Sequence, residues 1–101
     1  MQMIKREDIL NYLKEKKEDF FLEYHLVKLG LFGSFARNEG TENSDIDLIV
    51  EFEPDTENLS EIKSEIKSTL KKEFNREVDV CREKYIKPYF KSQILQSAIY
   101  V

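Results

Sequence analysis

The chain has 101 residues, enough for one core but near the size at which folding hides only about two-thirds of the unfolded surface, so a single domain spanning residues 1–101 is expected. An apolar content of 41%, with seven Phe, five Tyr and no Trp, excludes a disordered chain, and a net charge of -4 from 16 basic and 20 acidic residues argues against a stably held nucleic-acid template. The single cysteine, Cys81, cannot close an internal disulfide, and with no signal-like apolar run in "MQMIKREDIL" nor a membrane-length one elsewhere, a cytoplasmic protein without membrane association is expected.

In chain order, Ile9, Leu10, Leu13, Phe20 and Phe21 recur at helical offsets, which predicts an amphipathic helix from Lys5 to about Phe21 with "LKEKKED" as its wet face. "HLVKLGLFG" is short and apolar and ends at a glycine, as a buried strand from about Leu26 to Phe32 would. His25, the only histidine, sits at that strand's entrance and is read as structural. Gly33-Ser34 closes the strand; "SFARNEG" makes a short helix or turn, and "GTENS" is loop composition.

"DIDLIVEFEP" alternates, placing Ile46, Leu48, Val50 and Phe52 on one face of a second strand that Pro54 ends. Asn58 to about Glu73 is a helix with Leu59, Ile62, Ile66 and Leu70 in one stripe, Asn58 and Glu61 resembling a capping box, and the lysines at 63, 67, 71 and 72 on the wet side. "REVDVCRE" predicts a third strand from Glu77 to Arg82, with Asp79 and Cys81 on one face and Cys81 read as a small buried thiol. Pro88 opens a last helix through Phe90, Ile94, Leu95 and Ala98, after which Ile99, Tyr100 and Val101 tuck onto the sheet or offer a partner surface. The whole reads as α+β, a small mixed sheet with helices packed against it.

Asp45 and Asp47 share a face at the start of the second strand, where two anions repel and call for a cation. Their oxygen donors, with no neighbouring His or Cys ligand, suit Mg²⁺, and Asp79 joins the same face if the third strand lies beside the second. Such a set can hold two metal ions across an in-line displacement at phosphorus. Gly33 and Ser34 enter a helical turn with backbone N–H groups free for phosphate, and Arg37, a turn later, reaches the same anion or pairs with Glu39 or Glu42. Lys84 and Lys87 are further candidates for phosphate contact.

Gly33-Ser34, ten intervening residues and Asp45-Ile46-Asp47 before an apolar strand resemble the G-S-x10-D-x-D signature of the polymerase β-like nucleotidyltransferase superfamily, and the small size resembles its minimal (MNT) members. The resemblance covers nearly the whole chain. It implies the polymerase β-like fold, triphosphate binding by Gly33 and Ser34, Mg²⁺ coordination by Asp45 and Asp47, and Asp79 as a third carboxylate that also takes the acceptor's proton. Arg37 matches the basic residue that follows the turn, whereas Asn38 stands where many minimal members carry glycine, with Gly40 nearby to keep the loop mobile.

MNT domains of this kind are frequently antitoxins paired with an HEPN-type RNase toxin, some silencing it by transferring AMP from ATP to a tyrosine. The resemblance therefore implies an AMP-transferring enzyme whose acceptor is a partner protein. The competing expectations are an antitoxin that acts by occlusion alone and a small-molecule nucleotidyltransferase, which would want a further substrate-binding domain.

Overall fold

The structure, a computed structural model, describes residues 4–101. Helix α1 (Arg6–Tyr24) leads into strand β1 (Leu26–Phe32), the short helix α2 (Gly33–Ala36), β2 (Ile46–Phe52), α3 (Leu59–Phe74), β3 (Val78–Arg82), a 3-10 turn (Glu83–Tyr85), α4 (Pro88–Ser97) and β4 (Ile99–Tyr100). The strands form one mixed sheet in the order β3-β2-β1-β4, in which β2 runs antiparallel to β1 and parallel to β3, and β4 is antiparallel to β1.

One face of this sheet carries the main core. Leu29, Leu31, Ile46, Leu48, Val50, Phe52, Val78 and Val80 meet Ile9, Leu13, Phe20 and Tyr24 of α1 and Ile66 and Leu70 of α3. The fully buried Ile66 and Leu70 each contribute about 2 kcal/mol by leaving water. The α1 helix starts where the Lys5 backbone N–H donates to the Asp8 carboxylate at 2.8 Å. It continues past the expected Phe21 to Tyr24, and stops where His25 turns left-handed (φ 57°) and returns its N–H to the Phe21 carbonyl. His25 thus has the structural role expected of it, and its Nδ1 lies 4.0 Å from Glu53.

Two local expectations fail at α3. Asn58 is left-handed (φ 60°) and its side chain makes no cap hydrogen bond, so no capping box forms with Glu61. Lys63 does not belong to the solvated lysine face: it is half-buried and lines a cleft beside β3, while Lys67, Lys71 and Lys72 stay exposed.

The chain end adds a strand. Helix α4 stops at Ser97, a residue before the expected Ala98, and Ile99–Tyr100 pairs with Gly30 and Leu31 of β1. Gly30 permits the approach: a Cβ there would stand 3.0 Å from the Ile99 carbonyl oxygen, 3.0 Å from the Tyr100 ring and 3.1 Å from Ile49. Tyr100 then donates its hydroxyl to Glu83 at 3.0 Å, and Glu83 is held in turn by Lys28 at 2.8 Å.

Candidate active site

The face of the sheet opposite the main core presents the predicted residues. Parallel pairing sets Asp47 beside Asp79 and Ile49 beside Cys81, so alternation sends Asp47 and Asp79 out from the same side of neighbouring strands. Asp45 lies just ahead of β2 and, like Asp79, is exposed, whereas Asp47 is half-buried. Burial, then the Asp79 charge, then the Asp45 charge push the Asp47 carboxyl up to about 6, and Arg37 acts weakly against them. The carboxylates feel one another, yet among the described residues no group of three or more His, Cys, Asp and Glu side chains is closed to metal-holding geometry. An all-oxygen set strained by its own repulsion still has the chemistry of a hard-cation site, since a bound cation would relieve that repulsion.

Gly33 abuts Asp47 from β1. Its φ is +77°, a left-handed conformation, and a Cβ added there would collide with Asp47 Oδ2. Phe32, the residue before it, pairs directly with Asp47. Ser34 is half-buried in α2, where the Arg37 N–H donates to the Gly33 carbonyl and the Glu39 N–H to the Ser34 carbonyl. The Arg37 guanidinium is exposed, with Nε 3.3 Å from Glu39 Oε2, the surface pair weighed against a phosphate role. Asn38 takes φ 61°, the conformation that glycine adopts readily and that asparagine tolerates best among the other residues, so this departure from the family pattern preserves the turn. Gly40 serves packing rather than mobility, for a Cβ there would strike the Phe35 ring.

Cys81 corrects a further expectation. It shares a face with Asp79 as predicted but is exposed, because β3 is the sheet's edge strand. Partial burial, then Asp79 and Asp47, nonetheless raise its thiol pKa. Lys84 is anchored by its backbone, whose N–H donates to Glu51 at 2.9 Å, and Lys87 lines a cleft that Val80 and Cys81 of β3 also line.

Sequence reasoning missed Arg76. Its Nη1 donates to the Thr41 and Ser44 carbonyls at 2.8 Å each, and its guanidinium lies over the Phe35 ring at 5.2 Å. Arg76 therefore fixes the loop that delivers Asp45 and Asp47. No periodicity marks it, because its partners lie 32 and 35 residues away. Also missed was the apolar cleft of about 360 Å³ lined by Phe32, Cys81, Tyr85, Phe90 and Ile94, among others. A larger hollow of about 570 Å³ lies near Glu53 at the other end of β2, about 20 Å of strand away from Asp47. Glu23, Glu53, Glu57, Glu61 and Glu65 line it, so it repels phosphate.

Comparison with known proteins identifies the family. The family described as Nucleotidyltransferase domain matches residues 6–101. The candidate protein adenylyltransferase MJ0435 of Methanocaldococcus jannaschii is 36% identical over 90 residues, covering 89% of this chain and 95% of its own. The protein adenylyltransferase MntA of Thermococcus cleftensis is 29% identical over 101 residues, covering all of both. A solved structure of a candidate minimal nucleotidyltransferase superposes with a TM-score of 0.77 at 28% identity over 98% of each chain. A toxin-antitoxin crystal structure with AMP-PNP shares the fold, with a TM-score of 0.66 at 20% identity over 86% of this chain and 70% of that one. No helix among the described residues is long and apolar enough to cross a membrane. With a family match running from α1 to the last residue and relatives that align along almost their whole length, the chain belongs to the minimal nucleotidyltransferases of the polymerase β-like superfamily and is a nucleotidyltransferase enzyme.

Proposed function

We propose that this enzyme moves AMP from ATP to a tyrosine hydroxyl of a partner protein, an HEPN-type RNase toxin, and is thereby its antitoxin. The observation that carries the reading is the side-by-side placement of Asp47 and Asp79 with Gly33 against Asp47, an arrangement that supports taking the Gly33-Ser34 turn as the phosphate corner beside a carboxylate pair. The names of the protein adenylyltransferase relatives and the fold shared with a toxin-antitoxin structure support the acceptor and the antitoxin role.

In this reading the Gly33 and Ser34 N–H groups and the Ser34 hydroxyl hold the β- and γ-phosphates, and Arg37 leaves Glu39 to join them. Asp45, Asp47 and Asp79 would hold Mg²⁺, two ions in the full complement, which when bound lowers the acceptor hydroxyl's pKa and neutralises charge on the departing pyrophosphate. The acceptor oxygen forms a bond to the α-phosphorus as the bond to the bridging α–β oxygen breaks, pyrophosphate leaves, and the hydroxyl proton passes to an Asp79 carboxylate oxygen.

The test is transfer of label from ATP marked at the α-phosphate, with Mg²⁺ and soluble extract of the source cells, alongside an Asp45→Asn/Asp47→Asn control. A labelled protein band with the wild type only supports protein nucleotidyl transfer, and mass spectrometry of that band identifies the partner and residue. If neither sample labels a protein although the wild type binds ATP and Mg²⁺, occlusion of the toxin becomes the better account.

A further inference from the structure

Sheet order determines the flank from which an acceptor approaches. Gly33 follows β1, Asp47 stands on β2 and Asp79 on β3, so the phosphate corner and Asp79 lie on opposite sides of Asp47. An in-line displacement needs the incoming oxygen opposite the leaving pyrophosphate. With pyrophosphate at Gly33 and Ser34, that oxygen arrives over β3.

The surface beside β3 is apolar and basic although the chain as a whole is acidic. The cleft of about 360 Å³ is walled by Val80, Cys81, Tyr85, Phe90 and Ile94, and no acidic residue lines it; Lys63 and Lys87 supply its charge, because the Arg82 guanidinium is already paired with Glu51 at 3.0 Å. Next to it stand the exposed aromatics Tyr85, Tyr89 and Phe90, at 68%, 71% and 46% exposure, with the Tyr89 and Phe90 ring centroids 4.3 Å apart and their planes tilted by 43°. Aromatic side chains grouped in water beside a groove mark a contact surface. A cationic rim within a chain of net charge -4 selects an anionic occupant.

We propose that this cleft docks the acceptor segment of the partner protein, a tyrosine flanked by acidic residues, with the aromatic walls taking the acceptor's ring and Lys63 and Lys87 meeting its carboxylates. The assignment rests on the protein-acceptor reading above and adds where the acceptor sits and what surrounds its tyrosine.

Binding, read without ATP or Mg²⁺, separates this proposal from catalysis. A dye-labelled random copolymer of glutamate and tyrosine is titrated with the full chain by fluorescence anisotropy, with polyglutamate and a lysine-tyrosine copolymer as comparators. The glutamate-tyrosine copolymer is expected to bind at least about tenfold more tightly than either comparator. Phe90→Ala and Tyr89→Ala each weaken it by about fivefold or more, and Phe90→Glu weakens it further, while calorimetric MgATP affinity stays within about twofold of wild type. Both positions are solvent-exposed, and circular dichroism verifies that each variant is folded.

Equal binding of the three polymers, or copolymer binding that ignores all three substitutions, overturns the proposal. A parallel loss of MgATP affinity also overturns it and assigns the cleft to the nucleoside. Copolymer binding that behaves as expected in a protein that labels no acceptor would instead count against the catalytic reading alone.

Discussion

Asp47 and Asp79 are register partners across the parallel β2–β3 pairing, and the repulsion between them is built into the sheet. Asp47, raised from 3.8 to about 6 by burial first and its two acidic neighbours next, therefore opposes folding when ionised. The sign follows: a raised carboxyl pKa gives stability that is fully present below 3.8 and is lost as pH rises through about 6.

Asp47→Asn should thus stabilise the Mg²⁺-free protein at neutral pH, by about 1 kcal/mol once the shift is discounted for the solvent around this half-exposed group. The advantage should shrink as the solution is acidified towards the ordinary carboxylate range. Transfer should fall by more than about a hundredfold. Urea denaturation of both proteins across this pH range, with and without Mg²⁺, checks the claim, and Mg²⁺ should stabilise the wild type more than the variant. A variant less stable than wild type at neutral pH would remove the basis for a strained acidic pair.

Gly33→Ala tests the join between β1 and the carboxylates. The left-handed φ of +77° costs an alanine about 1 kcal/mol, and its methyl must also displace the Asp47 carboxylate. The expected outcome is a folded protein, less stable by about 1–3 kcal/mol and without transfer activity. Asn38→Ala provides the contrast, since its φ of 61° carries a similar backbone cost without a collision with Asp47, so transfer should largely survive there. Equal transfer by Gly33→Ala and Asn38→Ala would show that the Gly33–Asp47 contact is unimportant.

These positions also show what a sequence can reveal. Gly33, Ser34, Asp45 and Asp47 are legible because a turn and a strand start encode their geometry locally, and the α3 stripe through Ile66 and Leu70 is legible because helical period reports a buried face. Asp79 needed one further assumption, that β3 lies beside β2. Properties set by distant neighbours stayed hidden: Arg76 clamping the loop before Asp45, Cys81 left open on an edge strand and Lys63 drawn into the cleft, whereas Ile99, Tyr100 and Val101 do tuck onto the sheet as expected, beside Gly30. Asn58 misled because asparagine suits both an N-cap side chain and a left-handed backbone, and the chain used the latter.

Arg76 holds two carbonyls with one nitrogen, so its loss should loosen the 41–44 loop. Arg76→Met keeps much of the stem but should cost about 2 kcal/mol, the range for hydrogen bonds from a charged donor, and should lower transfer while leaving helix content intact. Arg76→Lys should recover only part of either quantity, because an ammonium lacks the planar fork that lies over the Phe35 ring. Thermal unfolding and steady-state transfer rates measure both effects. Full recovery by lysine would show that charge alone is needed.

Gly30→Ala reaches the chain end from inside the sheet. The methyl would meet the Ile99 carbonyl and the Tyr100 ring at 3.0 Å each, so β4 must shift outward and the Tyr100–Glu83 hydrogen bond should break. In the wild type, burial and then the Glu83 hydrogen bond push the Tyr100 hydroxyl from 10.0 up to about 12, so its neutral form is favoured by the fold. The stability this provides is present below pH 10 and lost as pH rises through about 12. Ultraviolet titration of the tyrosines should therefore resolve a late-ionising phenol in the wild type that moves towards the ordinary range in Gly30→Ala, with Tyr100→Phe removing it altogether. A late phenol that persists in Tyr100→Phe belongs to another tyrosine, and one unchanged in Gly30→Ala would show that β4 accommodates the methyl without releasing Glu83.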